Sequence, residues 1–157
     1  MAMEIAIERA TAPSAEIVAL LTALDRDLSG PYSADQHHAL SVENLFRPDV
    51  LFFVVKRGDA AIACGGVGLY DGYAELKRMY VKPAARGSGV ASALLARLED
   101  EARRAGHRLL AIETGIYQHA AMRFYDKAGF IRCAAFGPYA AMPPNAIATS
   151  AFYDKAL

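Results

Sequence analysis

The spacing of hydrophobic positions changes along the chain, and each spacing predicts one kind of element. Weak alternation over residues 3–9 predicts a first β-strand. A helix follows, with Ser14 as its N-cap and Thr11 as the competing cap. Its apolar positions recur every three or four residues at Ile17, Leu20, Leu21, Leu24 and Leu28. A weaker helical pattern covers about residues 34–46, and Pro48 stops it.

Three strands in succession are predicted by the next apolar segments. Residues 50–55 are compact and apolar, residues 60–69 are rich in glycine, and residues 73–81 follow. The turns between them are Arg57-Gly58-Asp59 and Asp71-Gly72. Because tight turns of this kind join neighbouring antiparallel strands, the three strands are predicted to form a meander.

Helical spacing returns in the second half of the chain. An apolar stripe marks a helix that Gly106 ends, at Val90, Leu94, Leu98 and Ala102. Residues 108–113 predict a strand buried on both faces, residues 118–128 a shorter helix, and residues 146–153 a last strand. The predicted order is β-α-α-β-β-β-α-β-α-β, which indicates an α/β fold with a mixed central β-sheet flanked by helices.

The composition is typical of one globular domain. With 157 residues, of which 54% are hydrophobic and 22% charged, the chain is predicted to form a single domain over residues 1–157. The 17 basic side chains balance the 17 acidic ones, which argues against a nucleic-acid partner, because such domains are usually strongly basic. Neither a membrane-length apolar run nor a signal-peptide pattern occurs, so no membrane partner is expected. Only Cys64 and Cys133 are present, which favours reduced thiols in a cytoplasmic protein, and no metal-site spacing is found.

The densest chemical signal lies between the strand over residues 73–81 and the next helix. The segment reads Arg86-Gly87-Ser88-Gly89-Val90-Ala91. A helix N-terminus presents unpaired N–H groups, a glycine pair lets an anion approach the backbone, and Arg86 adds a cation. These features predict a site for a diphosphate.

Other interpretations of this loop remain open. The plainest is a glycine-rich turn that only starts a helix. A nucleoside-triphosphate loop is excluded, because no Lys follows Gly89. A dinucleotide loop of an oxidoreductase is closer, because Glu113 ends the next strand at about the expected distance. However, Ser92 replaces the third glycine of that fingerprint.

A second motif, thirteen residues from Gln118 to Phe130, matches the pattern Asn-x-x-Ala-x-x-x-Tyr-x-x-x-Gly-Phe, with Gln118 in place of Asn. The glycine segment has the lead-in Val81-Lys82-Pro83. At this spacing the two motifs resemble those of the GNAT family of N-acetyltransferases, and the resemblance is strong over residues 74–130. It implies a single GNAT-like domain, acetyl-CoA as co-substrate, and direct transfer of the acetyl group to a primary amine.

The resemblance also implies where the coenzyme binds. A strand that splays from its neighbour lets pantetheine pair with the backbone of Met79, Tyr80 and Val81. The diphosphate is expected on Arg86, Gly87, Ser88, Gly89, Val90 and Ala91. Gln118 and Tyr125 complete the expected contacts.

Acetyl transfer requires a neutral amine, a donor for the carbonyl oxygen and a proton for the departing thiolate. Several family members carry a catalytic glutamate where Glu75 stands, and many place a tyrosine near the coenzyme sulfur at the motif position of Tyr125. Glu75 is therefore the candidate base and Tyr125 the candidate acid. The alternatives are a surface carboxylate, or one paired with Arg78, for Glu75, and a core aromatic for Tyr125. Glu113, at a strand end, is a second acidic residue considered as a catalyst, with the same alternative of a structural carboxylate.

Strand alternation makes a further prediction about the candidate base. Glu75, Lys77, Met79 and Val81 share one face of their strand if no bulge intervenes.

The acceptor side is less defined by the sequence. The resemblance implies a small-molecule amine or amino acid, and a protein N-terminus or lysine stays open. Aromatic residues that fit a pocket wall are Tyr32, Phe46, Tyr70, Phe136 and Tyr139. His37, His38 and His119 are interpreted as surface residues, and the apolar segment 134–152 is compatible with a homodimer. A non-catalytic acyl-CoA-binding sensor is the alternative function.

Overall fold

A mixed sheet with helices on both faces organises the computed structural model, which describes residues 4–157. Its seven strands are β1 (Ile5–Ala10), β2 (Val50–Arg57), β3 (Ala60–Leu69), β4 (Ala74–Val81), β5 (Leu109–Gly115), β6 (Ile131–Arg132) and β7 (Ser150–Ala156). The helices are α1 (Ala15–Leu28), α2 (Val90–Arg104), α3 (His119–Lys127) and the single turn α4 (Pro144–Ile147). The predicted α/β class and mixed sheet are confirmed.

The strands lie in the order β1-β2-β3-β4-β5-β7-β6. The neighbours from β1 to β4 are antiparallel, so the predicted meander is confirmed. The pair of β4 and β5 is parallel and is connected through α2, because parallel neighbours need a crossover of about a dozen residues or more.

The pairing of β4 with β5 ends almost as soon as it starts. Ala74 pairs with Leu110 and Glu75 pairs with Ala111, and no further pair follows between these two strands. β5 continues beside β7 as far as Gly115. The two parallel strands therefore diverge, and the gap between them is the splayed pair that the sequence resemblance implies.

Two hydrophobic cores lie on opposite faces of the sheet. The α2 core joins Leu94 and Leu98 of α2 to the sheet and to α3. The α1 core joins Leu20 and Leu21 of α1 to Phe52 of β2. Both cores use β2, because alternate residues of a strand point to opposite faces.

Three predicted helix boundaries are confirmed by their caps. The Ser14 hydroxyl accepts a hydrogen bond from the Ile17 N–H at 3.2 Å, at the start of α1. Gly106 has φ 90° and ends α2, with the His107 N–H donating to the Ala102 carbonyl at 3.0 Å. Gly129, with φ 93°, ends α3 in the same way.

The helix predicted over residues 34–46 is wrong. Only two short 3-10 turns form there, Ala34–Gln36 and Glu43–Phe46. Contacts with a distant segment hold the first turn and the chain after it, since the Gln36 amide donates to the Asn145 carbonyl at 3.1 Å and His38 Nε2 lies 2.7 Å from the Ala146 carbonyl oxygen. β6 and α4 were not predicted, because two residues and a single turn are too short to show a period. The last strand begins at Ser150, later than predicted, because Pro144 starts α4 instead.

No helix between residues 4 and 157 is long and apolar enough to cross a membrane. Within the same residues, the exposed large hydrophobic side chains are Val18, Tyr117 and Ile131. None of them lies in the segment 134–152, so this segment does not supply the apolar patch on which the homodimer prediction depends.

Candidate active site

A β-bulge in β4 shapes the edge that faces the gap. Between Lys77 and Tyr80, the two residues Arg78 and Met79 lie opposite a single residue of β3, Gly65. A bulge of this kind shifts the alternation of side chains along the strand by one position.

Arg78 forms the bulge with an unusual backbone conformation. Its φ is 53°, in the left-handed region that residues with a Cβ seldom adopt. Its side chain is only 5% exposed and forms an ion pair with Asp25 of α1 at 2.5 Å. This contact with α1 holds the arginine, and with it the bulge, in place.

The bulge changes which side chains share a face. Leu76 and Met79 both pack against the α2 core, although a separation of three residues along a regular strand places side chains on opposite faces. Glu75 and Lys77 flank Leu76 and therefore point to the opposite face, which α1 covers. The predicted common face of these two residues with Met79 and Val81 is wrong, because the bulge intervenes.

Past the bulge, β4 presents backbone groups to the gap. The Lys82 N–H donates to the Ile62 carbonyl of β3 at 2.9 Å, so the alternation turns the backbone of Met79 and Val81 the other way, toward the gap. An open strand edge can bind an extended ligand as an added strand. The same alternation turns the backbone of Tyr80 toward β3, and its side chain lies in the α1 core.

The loop before α2 has the backbone that a diphosphate site requires. Gly87 has φ 78°, and Gly89, the N-cap of α2, has φ 85°. A Cβ at either position would meet no atom within 4 Å, so open space lies over both. Val90 and Ala91 begin the helix, where N–H groups lack intrahelical acceptors. The Ser88 hydroxyl instead donates within the loop, to the Ala85 carbonyl at 2.5 Å.

Arg86 lies beside both the loop and the open edge. Its Nε donates to the Val81 carbonyl at 2.9 Å, and its guanidinium carbon is 5.5 Å from the centre of the Tyr80 ring. Its Nη2 is 3.8 Å from Asp27, and both side chains of this pair are 52% exposed. Exposed ion pairs contribute at most about 1 kcal/mol, so an anion on the loop can compete for this arginine.

Two cavities that share several lining residues adjoin the gap. The inner cleft, about 180 Å³, is lined by Glu75, Glu113 and Tyr125 among others. The outer cavity, about 650 Å³, is lined by Tyr70 and Tyr73 and shares Glu75 with the inner cleft. The outer cavity is the larger of the two, and Glu113 and Tyr125 line only the inner cleft.

Glu75 is a buried carboxylate with two defined partners. It is 3% exposed. The Lys77 ammonium lies 3.0 Å from its Oε1, and the Tyr139 hydroxyl donates to its Oε2 at 2.8 Å. Neither alternative for this residue holds, because it is not at the surface and Arg78 pairs with Asp25 instead. The two contacts fix the direction of the carboxylate toward both cavities.

Glu113 is the second carboxylate of the inner cleft. The Ser150 hydroxyl donates to its Oε2 at 2.6 Å. Burial raises the pKa of the Glu113 carboxyl, and the Glu75 charge adds to this rise. The Ser150 hydrogen bond and the charges of His38 and Lys77 act in the opposite direction on this pKa.

Tyr125 reaches the inner cleft from α3. Its ring is 6% exposed and packs 5.5 Å from the Phe130 ring and 6.2 Å from the Tyr153 ring. Burial, with the Glu113 charge, raises the pKa of the Tyr125 hydroxyl, so the group stays protonated at neutral pH. The residue is thus both a core aromatic and part of the cleft wall.

Gln118 and Tyr32 meet at the end of the inner cleft. Gln118 is the N-cap of α3, and its Nε2 lies 3.4 Å from the Tyr32 hydroxyl, to which it donates. The Tyr117 N–H donates to the same hydroxyl at 3.1 Å. The Tyr32 ring lies over Gly115, where any Cβ would clash with it. The loop after α1 is therefore anchored to the start of α3.

The histidine pair lies on an irregular segment, not on a helix. His37 and His38 line both cavities, and His38 Nε2 is 2.7 Å from the Ala146 carbonyl oxygen. His119 is exposed and lines neither cavity. Phe46 packs against Phe52 at 5.6 Å in the α1 core, so the structure does not bring it to the site.

The comparisons with known proteins agree with this geometry. The model of the Acetyltransferase (GNAT) family matches residues 17–130. The chain belongs to the GNAT acetyltransferase family. An Azospirillum brasilense relative named IAA acetyltransferase is 41% identical over 143 residues, which cover 90% of each protein.

Solved structures show the same GNAT fold. A Klebsiella pneumoniae protein described as an acyl-CoA N-acyltransferase is 32% identical, with a TM-score of 0.76 over 98% of this chain and 97% of that one. A GNAT acetyltransferase from Elizabethkingia anophelis with acetyl-CoA bound is 19% identical and shares the fold, with a TM-score of 0.69 over 98% of each chain.

This GNAT protein is an N-acetyltransferase that uses acetyl-CoA, as the sequence resemblance implies. The open edge of β4 and the glycine loop fit an extended ligand that ends in a diphosphate. The non-catalytic sensor is not favoured, because the relatives carry acetyltransferase names.

Sequence reasoning missed several contacts of the GNAT site. The sequence pattern places Lys77 on the same strand face as Glu75, but the ion pair between them was not predicted. Side chains two residues apart on one strand lie on the same face, so the signal was present. Ser150 and Asp25 gave no signal, because their partners, Glu113 and Arg78, are distant in sequence.

Proposed function

We propose that the protein transfers the acetyl group directly from acetyl-CoA to the primary amine of a small molecule in the inner cleft. The nitrogen–carbon bond forms and the carbon–sulfur bond breaks in one ternary complex. An alkylammonium group, with a pKa near about 10, loses two protons overall. One proton replaces the carbon on sulfur, and the other passes to solvent.

Glu75 is proposed to take the first proton, directly or through one water molecule. The Lys77 and Tyr139 contacts occupy one position on each oxygen, and a carboxylate has about four acceptor positions in all. Glu75 therefore keeps acceptor capacity at the point where the two cavities meet.

Tyr125 is proposed to give a proton to the departing thiolate. It lines the inner cleft, and the raised pKa of its hydroxyl keeps this group protonated, so that it can donate to the sulfur as negative charge develops there. Backbone N–H groups of Met79 and Val81 face the gap and are suited to pantetheine and to the carbonyl oxygen.

The proposed coenzyme contacts extend from this edge. Arg86 with the backbone from Gly87 to Ala91 would bind the diphosphate, and Gln118 would contact the pantetheine side. The supporting observations are the two left-handed glycines and the open space over them. For Tyr80, the observation that supports a contact with the coenzyme is the position of its ring beside the Arg86 guanidinium.

The test is a thiol-release assay with acetyl-CoA and a panel of amines, amino acids and peptides. Glu75→Gln and Tyr125→Phe are each expected to lower kcat by about 10²–10⁴-fold, the usual range for one proton-transferring group. Glu113→Gln, run in parallel, distinguishes the two carboxylates. If it lowers kcat more than Glu75→Gln does, the base is assigned to the wrong residue.

Matched controls separate chemistry from folding. Tyr153→Phe removes a hydroxyl from a buried tyrosine that packs against Tyr125, and kcat is expected to be unchanged. If coenzyme A binds but none of the amines in the panel causes thiol release, the result would instead support the sensor alternative.

A cytoplasmic location and a homodimer are also proposed. Cys64 and Cys133 are free thiols, which suits a reducing compartment. The segment 134–152 no longer supports the dimer, so light scattering of the purified protein is its test.

A further inference from the structure

The outer cavity and the inner cleft together favour one class of acceptor. Acceptors that enter through the outer cavity pass Tyr70 and Tyr73 before they reach Glu75, where the cavities meet. The choice of amine rests on the proposed function, because only an acetyltransferase needs an acceptor in these cavities.

Aromatic rings form the walls of the outer cavity. The Tyr70 and Tyr73 rings lie 5.5 Å apart, and the Tyr139 ring lies 5.6 Å from the imidazole of His38. All four side chains line the cavity. Aromatic walls favour a ligand ring by stacking and edge-to-face contact, and they attract an ammonium group through the ring faces.

The charges in the inner cleft are unevenly matched. Lys77 pairs with Glu75 at 3.0 Å, and Arg78 pairs with Asp25 at 2.5 Å. Glu113 forms no ion pair among residues 4–157 and accepts its hydrogen bond from the neutral Ser150 hydroxyl. His38 and Lys77 are the bases whose charges act on Glu113, and His38 Nε2 is already 2.7 Å from the Ala146 carbonyl oxygen. The charged group of the inner cleft that lacks an ion-pair partner among the described residues is therefore the Glu113 carboxylate.

A ligand that carries one ammonium group and no carboxylate complements this arrangement. An α-amino acid also brings a carboxylate, and the buried cations that line the cleft are already committed to Glu75 and Asp25. Burial of an unpaired carboxylate is strongly unfavourable.

We infer that the preferred acceptor is an aralkylamine, whose ammonium group pairs with Glu113 while its ring occupies the outer cavity between Tyr70, Tyr73 and Tyr139. Amino acids with the same ring are poor acceptors. Glu113 acts here in recognition, and Glu75 acts in proton transfer.

The experiment compares 2-phenylethylamine, phenylalanine and butylamine, which differ in the carboxylate or the ring. Their dissociation constants are measured by calorimetry on the protein saturated with coenzyme A, so that no turnover is needed. We expect 2-phenylethylamine to bind at least about tenfold more tightly than either of the others, which corresponds to one well-made interaction. Equal or tighter binding of phenylalanine would overturn the inference.

Two variants test the residues themselves. Glu113→Gln is expected to weaken 2-phenylethylamine binding by about tenfold, because its ammonium group loses its partner. Tyr73→Leu is expected to abolish the advantage of 2-phenylethylamine over butylamine. Glu99→Gln, at a buried carboxylate outside both cavities, is the control and should change none of these constants. If Glu113→Gln folds and binds all three ligands as the unmodified protein does, the assignment of Glu113 is wrong.

Failure of the acceptor class and failure of the proposed function give different results. Acetyl transfer to phenylalanine but not to 2-phenylethylamine contradicts the acceptor class alone. Selective binding of 2-phenylethylamine without any thiol release contradicts the transfer step and leaves the acceptor class supported.

Discussion

At the scale of single residues, the stability of the protein depends on the buried ion pair formed by Lys77 and Glu75. Their side chains are 11% and 3% exposed, and the charged atoms are 3.0 Å apart. Lys77→Met would leave the Glu75 carboxylate buried with only the Tyr139 hydrogen bond. Loss of one partner of a buried ion pair usually costs about 3–5 kcal/mol, so we expect the free energy of unfolding in urea to fall by that amount.

The double variant Lys77→Met with Glu75→Gln tests the cause of this loss. Because it removes the unpaired charge, it is expected to recover most of the stability that Lys77→Met loses. If the double variant is no more stable than Lys77→Met, packing of the lysine stem, and not charge, explains the effect.

Glu113 gives a second prediction at this scale, about pH. Burial raises its pKa in the folded protein above the usual value of 4.5, so the folded state binds this proton more strongly than the unfolded state does. The protein therefore loses stability from this residue as the pH rises from the unfolded pKa through the folded pKa. Glu113→Gln removes that loss, and its Tm relative to the unmodified protein is expected to increase from about pH 4 to about pH 8.

Melting curves over this pH range, recorded for both proteins, measure the difference. His38, Glu75 and Lys77 are the charged groups that act on Glu113, and they are present in both proteins. The exposed Glu43→Gln serves as control and should give a flat difference. A flat difference for Glu113→Gln as well would show that burial does not perturb this carboxyl.

At the scale of elements, the two ends of α2 carry glycines that differ only in their proposed role. Gly89 has φ 85° and Gly106 has φ 90°, and a Cβ would meet no atom within 4 Å at either position. Alanine at each is expected to cost about 1–2 kcal/mol through backbone strain alone. Gly89→Ala should also weaken coenzyme A binding, because its Cβ occupies the proposed diphosphate site.

Urea unfolding and calorimetric titration with coenzyme A separate the two effects. Gly106→Ala is the matched control, with equal loss of stability and unchanged affinity. Equal affinity in both variants would mean that the loop before α2 does not bind the diphosphate.

The elements also show what the sequence can predict. α1, α2 and α3 were predicted because their apolar stripes and caps are local features, and β2 to β4 because their turns are short. The bulge in β4 was not predictable, because the left-handed residue is Arg78 and not a glycine. Its conformation depends on Asp25, more than fifty residues earlier in the chain.

In the candidate site too, local features were predictable and long-range contacts were not. Motif positions singled out Glu75, Tyr125 and the loop from Arg86 to Ala91, because each lies beside a recognisable boundary of an element, and Glu75 and Tyr125 both line the inner cleft. The hydrogen bonds of Glu75 with Tyr139 and of Glu113 with Ser150 join residues 64 and 37 positions apart. No periodicity reports contacts at such separations.

At the scale of the whole molecule, the two hydrophobic cores share one sheet, and this predicts a single unfolding transition. On β2, Phe53 and Val55 belong to the α2 core, whereas Phe52 and Val54 belong to the α1 core. Neither core can therefore lose its packing without disturbing a strand that the other one needs. Leu21 lies in the α1 core and is 1% exposed, and Leu94 lies in the α2 core and is 0% exposed.

Leu21→Ala and Leu94→Ala are each expected to lower the free energy of unfolding by about 2–5 kcal/mol, through lost burial and the cavity left behind. Because the two residues lie on opposite faces of the sheet, the losses in the double variant should add within about 0.5 kcal/mol. The protein has no Trp and 8 Tyr, so tyrosine fluorescence and far-UV circular dichroism are the two probes. Coincident urea curves from both probes, in every variant, are the expected result. Separate transitions in either single variant would mean that the α1 core and the α2 core unfold independently, and that the shared sheet does not couple them.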